Sequence, residues 1–298
     1  MTETARGFGW GFLGIVIFGL TLPFTRIAVA EFDPLFVSIG RTVVAAAAAL
    51  PILLITGSPR PDPPTLLRLA LTAAGIVIGF PVFSALAMQS APASHGGVVL
   101  GILPIATAVM SMVFAAERPS ARFWAWSLAG SAAVIAFTLW EGGAELYAAD
   151  GMLLLAALMA AAGYALGGEL ARRLGGWQVI CWALVVALPV TLPVFLYLLP
   201  HAHLDASGAA WASFLYLALM SQLAGFFAWN KGLAAGGVAK VGQVQLVQIF
   251  VTIAASALLL GESVTLRTFL FAAIVTLCVW QASRAKVRRL NQLVSPPR

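Results

Sequence analysis

Apolar residues run in long blocks along this chain, and polar ones collect in the short stretches between them. The blocks lie near 7–29, 34–56, 66–90, 95–116, 121–140, 150–171, 177–199, 208–233, 237–260 and 265–284. Each is close to the ~20 residues that a helix rising ~1.5 Å per residue needs to cross a ~30 Å hydrocarbon layer. The connections carry turn formers and charges, as in Ser58-Pro59-Arg60-Pro61-Asp62-Pro63-Pro64, Glu117-Arg118-Pro119-Ser120 and Glu141-Gly142-Gly143. The pattern predicts an all-α integral membrane protein of ten transmembrane helices.

Composition points the same way. Apolar residues make up 61% of the chain and charged ones only 9%, whereas a water-facing shell needs roughly 25%. Cys181 and Cys278 both fall inside apolar blocks, so no disulfide framework is encoded. Three histidines without a Cys/His cluster provide no metal site by spacing, and no cofactor is implied.

With the N-terminus inside, every Lys and Arg except Arg26, Arg41 and Arg267 falls on the cytoplasmic side. Glu31, Asp33, Glu141, Glu145, Asp150, Asp205 and Glu262 collect on the other. This bias predicts that both termini are cytoplasmic. The basic stretch 284–289, continuing into a tail over 285–298, then faces anionic headgroups. That placement rejects the nucleic-acid reading which a pI of about 9.9 invites. Ala28-Val29-Ala30 fits a signal-peptide cleavage site, but a long apolar block with Pro23 and Arg26 precedes it, so it is read as part of the first span.

The two halves, 7–140 and 150–284, align late in each half at an offset of 145 residues (117 to 262). Glu117-Arg118-Pro119-Ser120 falls on Glu262-Ser263-Val264-Thr265, Arg122 on Arg267, Gly97 on Gly242 and His95 on Lys240; earlier, Gly19 sits opposite Gly163. Five spans is an odd number, so the second half enters the membrane inverted relative to the first. Inverted five-helix repeats of this kind mark secondary transporters, whose sites lie at the repeat interface near the midplane.

Three local signatures occur in order: Phe36-Val37-Ser38-Ile39-Gly40-Arg41 in span two, Ala85-Leu86-Ala87-Met88-Gln89-Ser90-Ala91-Pro92-Ala93 before span four, and Leu260-Gly261-Glu262-Ser263-Val264-Thr265 after span nine. With the five-plus-five plan, they resemble the EamA family of the drug/metabolite transporter superfamily along nearly the whole chain. Within it the chain is most similar to the YddG-type exporters of aromatic and other amino acids. The resemblance implies a small-molecule substrate, either amino acids or, as the alternative, organic cations. It also implies the bacterial inner (plasma) membrane and a cavity between spans one to four and six to nine, with five and ten peripheral. One departure is that Pro104, common at this place in the family, has Ile249 as its second-half counterpart.

Polar groups at membrane depth are the first candidates for a site. Gln243, Gln245 and Gln248 lie in span nine, and the latter two share a helical face. Amides both donate and accept, which suits a zwitterion, although buried amides also join helices. His95 and Lys240 begin spans four and nine at matching positions; either meets a substrate carboxylate or snorkels to headgroups. Arg41 lies two turns into span two, where a lone charge needs a partner. Trp10, Phe18, Phe83, Tyr164 and Trp229 lie on spans that the resemblance places around the cavity, where aromatic faces stack rings or hold cations. Asn230 and Lys231 read as a solvated helix end. Pro23, Pro81, Pro104, Pro189 and Pro193 fall within spans and bend them, which makes them candidate hinges.

Glu117, Glu169 and Glu262 all sit at span ends, and no acid lies mid-span. A carboxylate-centred cation/proton antiporter is therefore disfavoured. Neither H-E-x-x-H nor a G-x-S-x-G elbow is present, despite adjacent Ser94 and His95, so an enzyme is not expected.

Overall fold

The apolar blocks are helical in the computed structural model, which describes residues 3–91, 93, 96, 99–142, 149–202, 204–261 and 266–289. Among the described residues, seven helices are long and apolar enough to cross a membrane: Glu3–Val29 (α1), Pro34–Ile55 (α2), Pro63–Ala87 (α3), Asp150–Leu174 (α6), Gly176–His201 (α7), Gly208–Gly236 (α8) and Val238–Leu259 (α9). Shorter apolar helices stand at the remaining expected blocks, as Leu100–Phe114 (α4) and within Ala121–Gly142 (α5) and Leu266–Arg284 (α10). Besides helices, the described residues hold a two-stranded antiparallel ribbon of Glu117–Pro119 (β1) and Val287–Arg289 (β2).

Helix starts follow local capping chemistry. The Asp33 carboxylate accepts from the Leu35 and Phe36 N–H groups at 2.8 and 3.1 Å, just before Pro34 at the first helical position. Asp62 does the same for Thr65 at 3.2 Å, and Ser207 for Ala210 at 3.2 Å. Gly175 and Gly237, at φ +100° and +93°, make the reversals from α6 to α7 and from α8 to α9, a backbone region that side chains with a Cβ rarely enter.

Packing between helices follows a two-fold pattern. The α1·α8 contact has its counterpart in α6·α3, and α4·α6 in α9·α1; α2·α7 and α5·α10 map onto themselves when helix n is exchanged with n+5. Backbones touch where α1 crosses α8. A Cβ on Gly232 would lie 2.6 Å from the Gly11 nitrogen, and one on Gly7 2.5 Å from the Gly236 nitrogen. Small residues four apart on both helices permit this approach.

Proline breaks leave carbonyls that neighbouring hydroxyls take up. Pro23, past the bend at Leu20 in α1, lacks the N–H that would reach Gly19, and Thr252 donates to that carbonyl at 2.8 Å. Pro81 in α3 leaves the Val77 carbonyl, which accepts from Thr42 at 2.9 Å. In lipid such groups have no water to turn to, so the hydroxyls stabilise the bends.

Candidate binding site

The third helix of each half widens into a π-helical segment at the same level, Ala73–Gly79 in α3 and Tyr216–Ala224 in α8. Such segments shift side chains out of α register and occur disproportionately at functional sites. Here they touch: the Gln222 amide donates to the Ile76 carbonyl at 3.2 Å. Beside this contact lies a narrow cavity lined by residues of both halves, including Phe18 and Thr21 of α1, Arg41 of α2, Tyr164 of α6, Gln222 of α8 and Gln248 of α9. Its volume is about 10 Å³, the space of a single water-sized sphere. The cavity is closed to anything larger.

Arg41 dominates its chemistry. The side chain is 3% exposed, and one terminal nitrogen donates to the Ser221 hydroxyl at 2.9 Å, which in turn pairs with Thr21 at 2.8 Å. The Arg41 Nε has no hydrogen-bond partner, and among the described residues no carboxylate forms a salt bridge with it. An acceptor is orphaned on the same cavity wall, the Oε1 of Gln222. An aromatic cluster also lines the cavity. Phe18 stacks with Tyr164 at 6.4 Å between ring centroids and packs against Phe226 at 4.9 Å. Trp229 sits behind them, 5.3 Å from Tyr164.

Four sequence candidates therefore meet at this cavity: Phe18, Arg41, Tyr164 and Gln248. Gln248 also borders a second small cleft between α4, α5 and α9, and it is this cleft that Gln245 lines. The Gln245 amide nitrogen donates to Thr107 and the Gly242 carbonyl, at 3.3 and 2.9 Å, while its Oε1 is buried without a partner. The shared helical face thus splits between two spaces.

Other candidates lie elsewhere. Gln243 is buried with both amide atoms unpartnered, away from the Arg41 cavity. Trp10 is on the outside of α1, with the Lys231 ammonium 4.0 Å above its ring. Phe83 is half-buried and does not line the cavity. Lys240 borders an opening at the ribbon together with Thr4, Glu117 and Arg289. Trp229 is wholly buried in the second layer of rings. Asn230, expected at a solvated end, is instead buried and donates to the Gly176 carbonyl at 3.2 Å. His95 lies outside the described residues. Pro81 follows the π segment of α3, Pro104 follows a 3₁₀ turn at the start of α4, and Pro189 and Pro193 lie inside α7.

Thr21, Ser221 and Gln222 escaped the sequence reading. The signal existed: Ser221-Gln222 is a polar pair in the middle of an apolar span.

Both ends of the bundle are closed over this cavity. On the face where Thr4 and β2 meet, called the terminal face below, the buried Glu117 carboxylate (1% exposed) accepts from the Val238 and Ala239 N–H groups at 3.0 and 2.8 Å and pairs with Arg172 at 3.0 Å and Arg289 at 3.5 Å. On the far face Phe32, Phe36, Phe195, Trp211 and Phe214 form a plug of rings 4.9–6.2 Å apart. There Glu31 also accepts from the Ser207 N–H and hydroxyl at 2.6 and 2.5 Å.

Comparison with known proteins adds the family. The model of the EamA-like transporter family matches twice, at residues 5–139 and 148–283. A Bacillus subtilis protein described as the uncharacterized transporter YdeK is 41% identical over 284 residues, covering 95% of this chain and 99% of its own length. A probable terminal-alkyne amino-acid exporter of Streptantibioticus cattleyicolor is 28% identical over 231 residues, 76% of each chain. A solved structure titled only as the crystal structure of a protein superposes with a TM-score of 0.72 at 18% identity, over 98% of this chain and 99% of that one, a likeness of fold.

Proposed function

Because this chain belongs to the EamA-like transporter family, we propose that it exports amino acids, aromatic and other neutral ones, by alternating access between two inverted five-helix halves. In this reading the membrane is the bacterial inner membrane and the arginine-rich face with both termini is cytoplasmic. The amino-acid exporter among the relatives supports the substrate class only at a distance. The main support is Arg41, buried between the halves with no carboxylate paired to it among the described residues.

A charge at membrane depth costs about 2.5–3.5 kcal/mol on insertion scales unless something compensates it. A substrate carboxylate supplies that compensation through a charge-assisted hydrogen bond to Arg41. The orphaned Gln222 Oε1 then accepts from the α-ammonium, and the faces of Phe18, Tyr164 and Phe226 take an aromatic side chain. A zwitterion satisfies both orphaned groups together. An organic cation meets the aromatic wall but repels Arg41.

The test is counterflow of labelled phenylalanine in liposomes containing the purified protein. Wild-type protein should exchange it, and Arg41→Gln should weaken exchange by about tenfold or more, since hydrogen bonds to charged groups contribute ~1.5–3 kcal/mol. Arg41→Lys should keep part of the activity. Proton-driven flux of a quaternary ammonium with no amino-acid exchange would overturn the substrate assignment. The inverted arrangement is checked separately with an impermeant thiol reagent on cysteines placed in 57–65 and in 141–149, which must react from opposite sides.

A further inference from the structure

On the terminal face, a second and much larger hollow of about 410 Å³ opens between α3, α4, α6 and β2. Its walls are Arg68, Glu169, Arg172, Arg173 and Arg289, with Phe114 as the largest apolar contributor. Among the described residues, two carboxylates form ion pairs with the four guanidinium groups. Glu169 pairs with Arg68 at 3.0 Å and with Arg173 at 3.1 Å, and Glu117 with Arg172 and Arg289. Asp62 also lies within electrostatic reach of Arg173, so among the described residues one positive charge is left over (four less three), and Arg172 Nε is buried without a hydrogen-bond partner.

We propose that this hollow binds a phosphate group, presented by an anionic lipid or by a soluble phosphate. Planar guanidinium forks match phosphate oxygens in pairs, which a ring of lysines would not do. The remaining positive charge suits a phosphate monoanion. Arg172 and Arg173 occupy the last turn of α6, where a membrane-spanning helix reaches headgroup depth, and basic pockets between helix ends are a recurring headgroup site. Phe114 gives the rest of a lipid an apolar wall. The site is separate from the Arg41 cavity, so it stands or falls independently of the transport reading.

The experiment uses the full chain in neutral detergent and in nanodiscs. Unfolding temperature is measured with inorganic phosphate against chloride at equal ionic strength, and retained lipid is counted by native mass spectrometry for phosphatidylglycerol against phosphatidylcholine. A phosphate-specific rise in detergent assigns a soluble ligand; selective retention of phosphatidylglycerol assigns a headgroup. Either effect should fall about tenfold in affinity in Arg68→Gln/Arg173→Gln, which removes two exposed charges near the membrane surface. It should strengthen several-fold in Glu169→Gln, which frees two arginines. If the glutamine pair fails to fold, Arg68→Lys/Arg173→Lys keeps the charge, loses the forks and should still bind several-fold more weakly. No preference for phosphate or for phosphatidylglycerol in wild-type protein, or weaker binding in Glu169→Gln, overturns the proposal.

Discussion

The two faces of the bundle close over one cavity by opposite physical means. The terminal face is held by directional charge: Glu117 gathers two backbone N–H groups and two guanidiniums, and the ribbon pairs Glu117 with Arg289 in register. The far face is held by ring packing among Phe32, Phe36, Phe195, Trp211 and Phe214, with one carboxylate contact at its exposed rim. A buried charge cluster is close to all-or-none, because losing one partner strands the others. Packed rings lose their contacts one pair at a time, each ~0.5–1.5 kcal/mol. In the proposed cycle the terminal face is thus the stiffer latch, and the far face the more gradual one.

The sharpest way to break this contrast is Glu117→Ala. It strands Arg172, Arg289 and the first amides of α9, and the expected loss is about 3–5 kcal/mol of stability in the closed face. In a background lacking Cys181 and Cys278, a cysteine at Leu103, which lines the Arg41 cavity, should then react with thiol reagent much faster from the terminal side. Phe36→Leu on the far face should cost about 1–3 kcal/mol, from lost ring pairs and volume. The same cysteine should become more reactive from the far side only. Equal acceleration from both sides in either variant would dissolve the distinction.

Gly232→Ala tests whether the terminal face depends on the close crossing of α1 and α8. Its Cβ would press on the Gly11 backbone at 2.6 Å, and overpacking of this kind costs about 1–3 kcal/mol, read as a lower unfolding temperature.

The smallest effect concerns the rim of the far face. Hydrogen bonds from Ser207 hold the Glu31 carboxyl below its ordinary value. The contact is therefore fully present above the ordinary carboxylate range and is lost as pH falls through the lowered pKa. Ser207→Ala removes the hydroxyl bond but keeps the backbone N–H one, so it should move the Glu31 titration part of the way back toward the ordinary range, visible as a loss of far-face closure at higher pH than in wild-type protein.

Much of this architecture was legible along the chain. The apolar blocks, the capping residues Asp33 and Asp62, and the isolated Arg41 all declare themselves locally, since transfer cost and cap geometry depend on a residue and its near neighbours. Gln248 is legible for the same reason, whereas Phe18 and Tyr164 are candidates only because the family resemblance places their spans around a cavity. Gln245, Lys240 and Trp10 illustrate the limit. Each is polar or aromatic on a suitable span, yet it faces a different cleft, the terminal face or the outside. Glu117 shows the converse, as an acid in a short connection that turns out to be the buried centre of a face.

Hydropathy alone committed this chain to a membrane and to helices, because burial in lipid sums along a single segment and needs no partner. Facing and closure were another matter. Successive helical residues turn by ~100°, so the rotation of α9 about its axis decides that Gln248 borders both spaces while Gln245 reaches only the cleft beside α4 and α5. The groups that close the terminal face are also distant in sequence, as Glu117 and Ala239 are at 122 residues apart. Which orphaned polar atoms share a cavity is set by how the two halves lie against each other, and no stretch of sequence contains that information by itself.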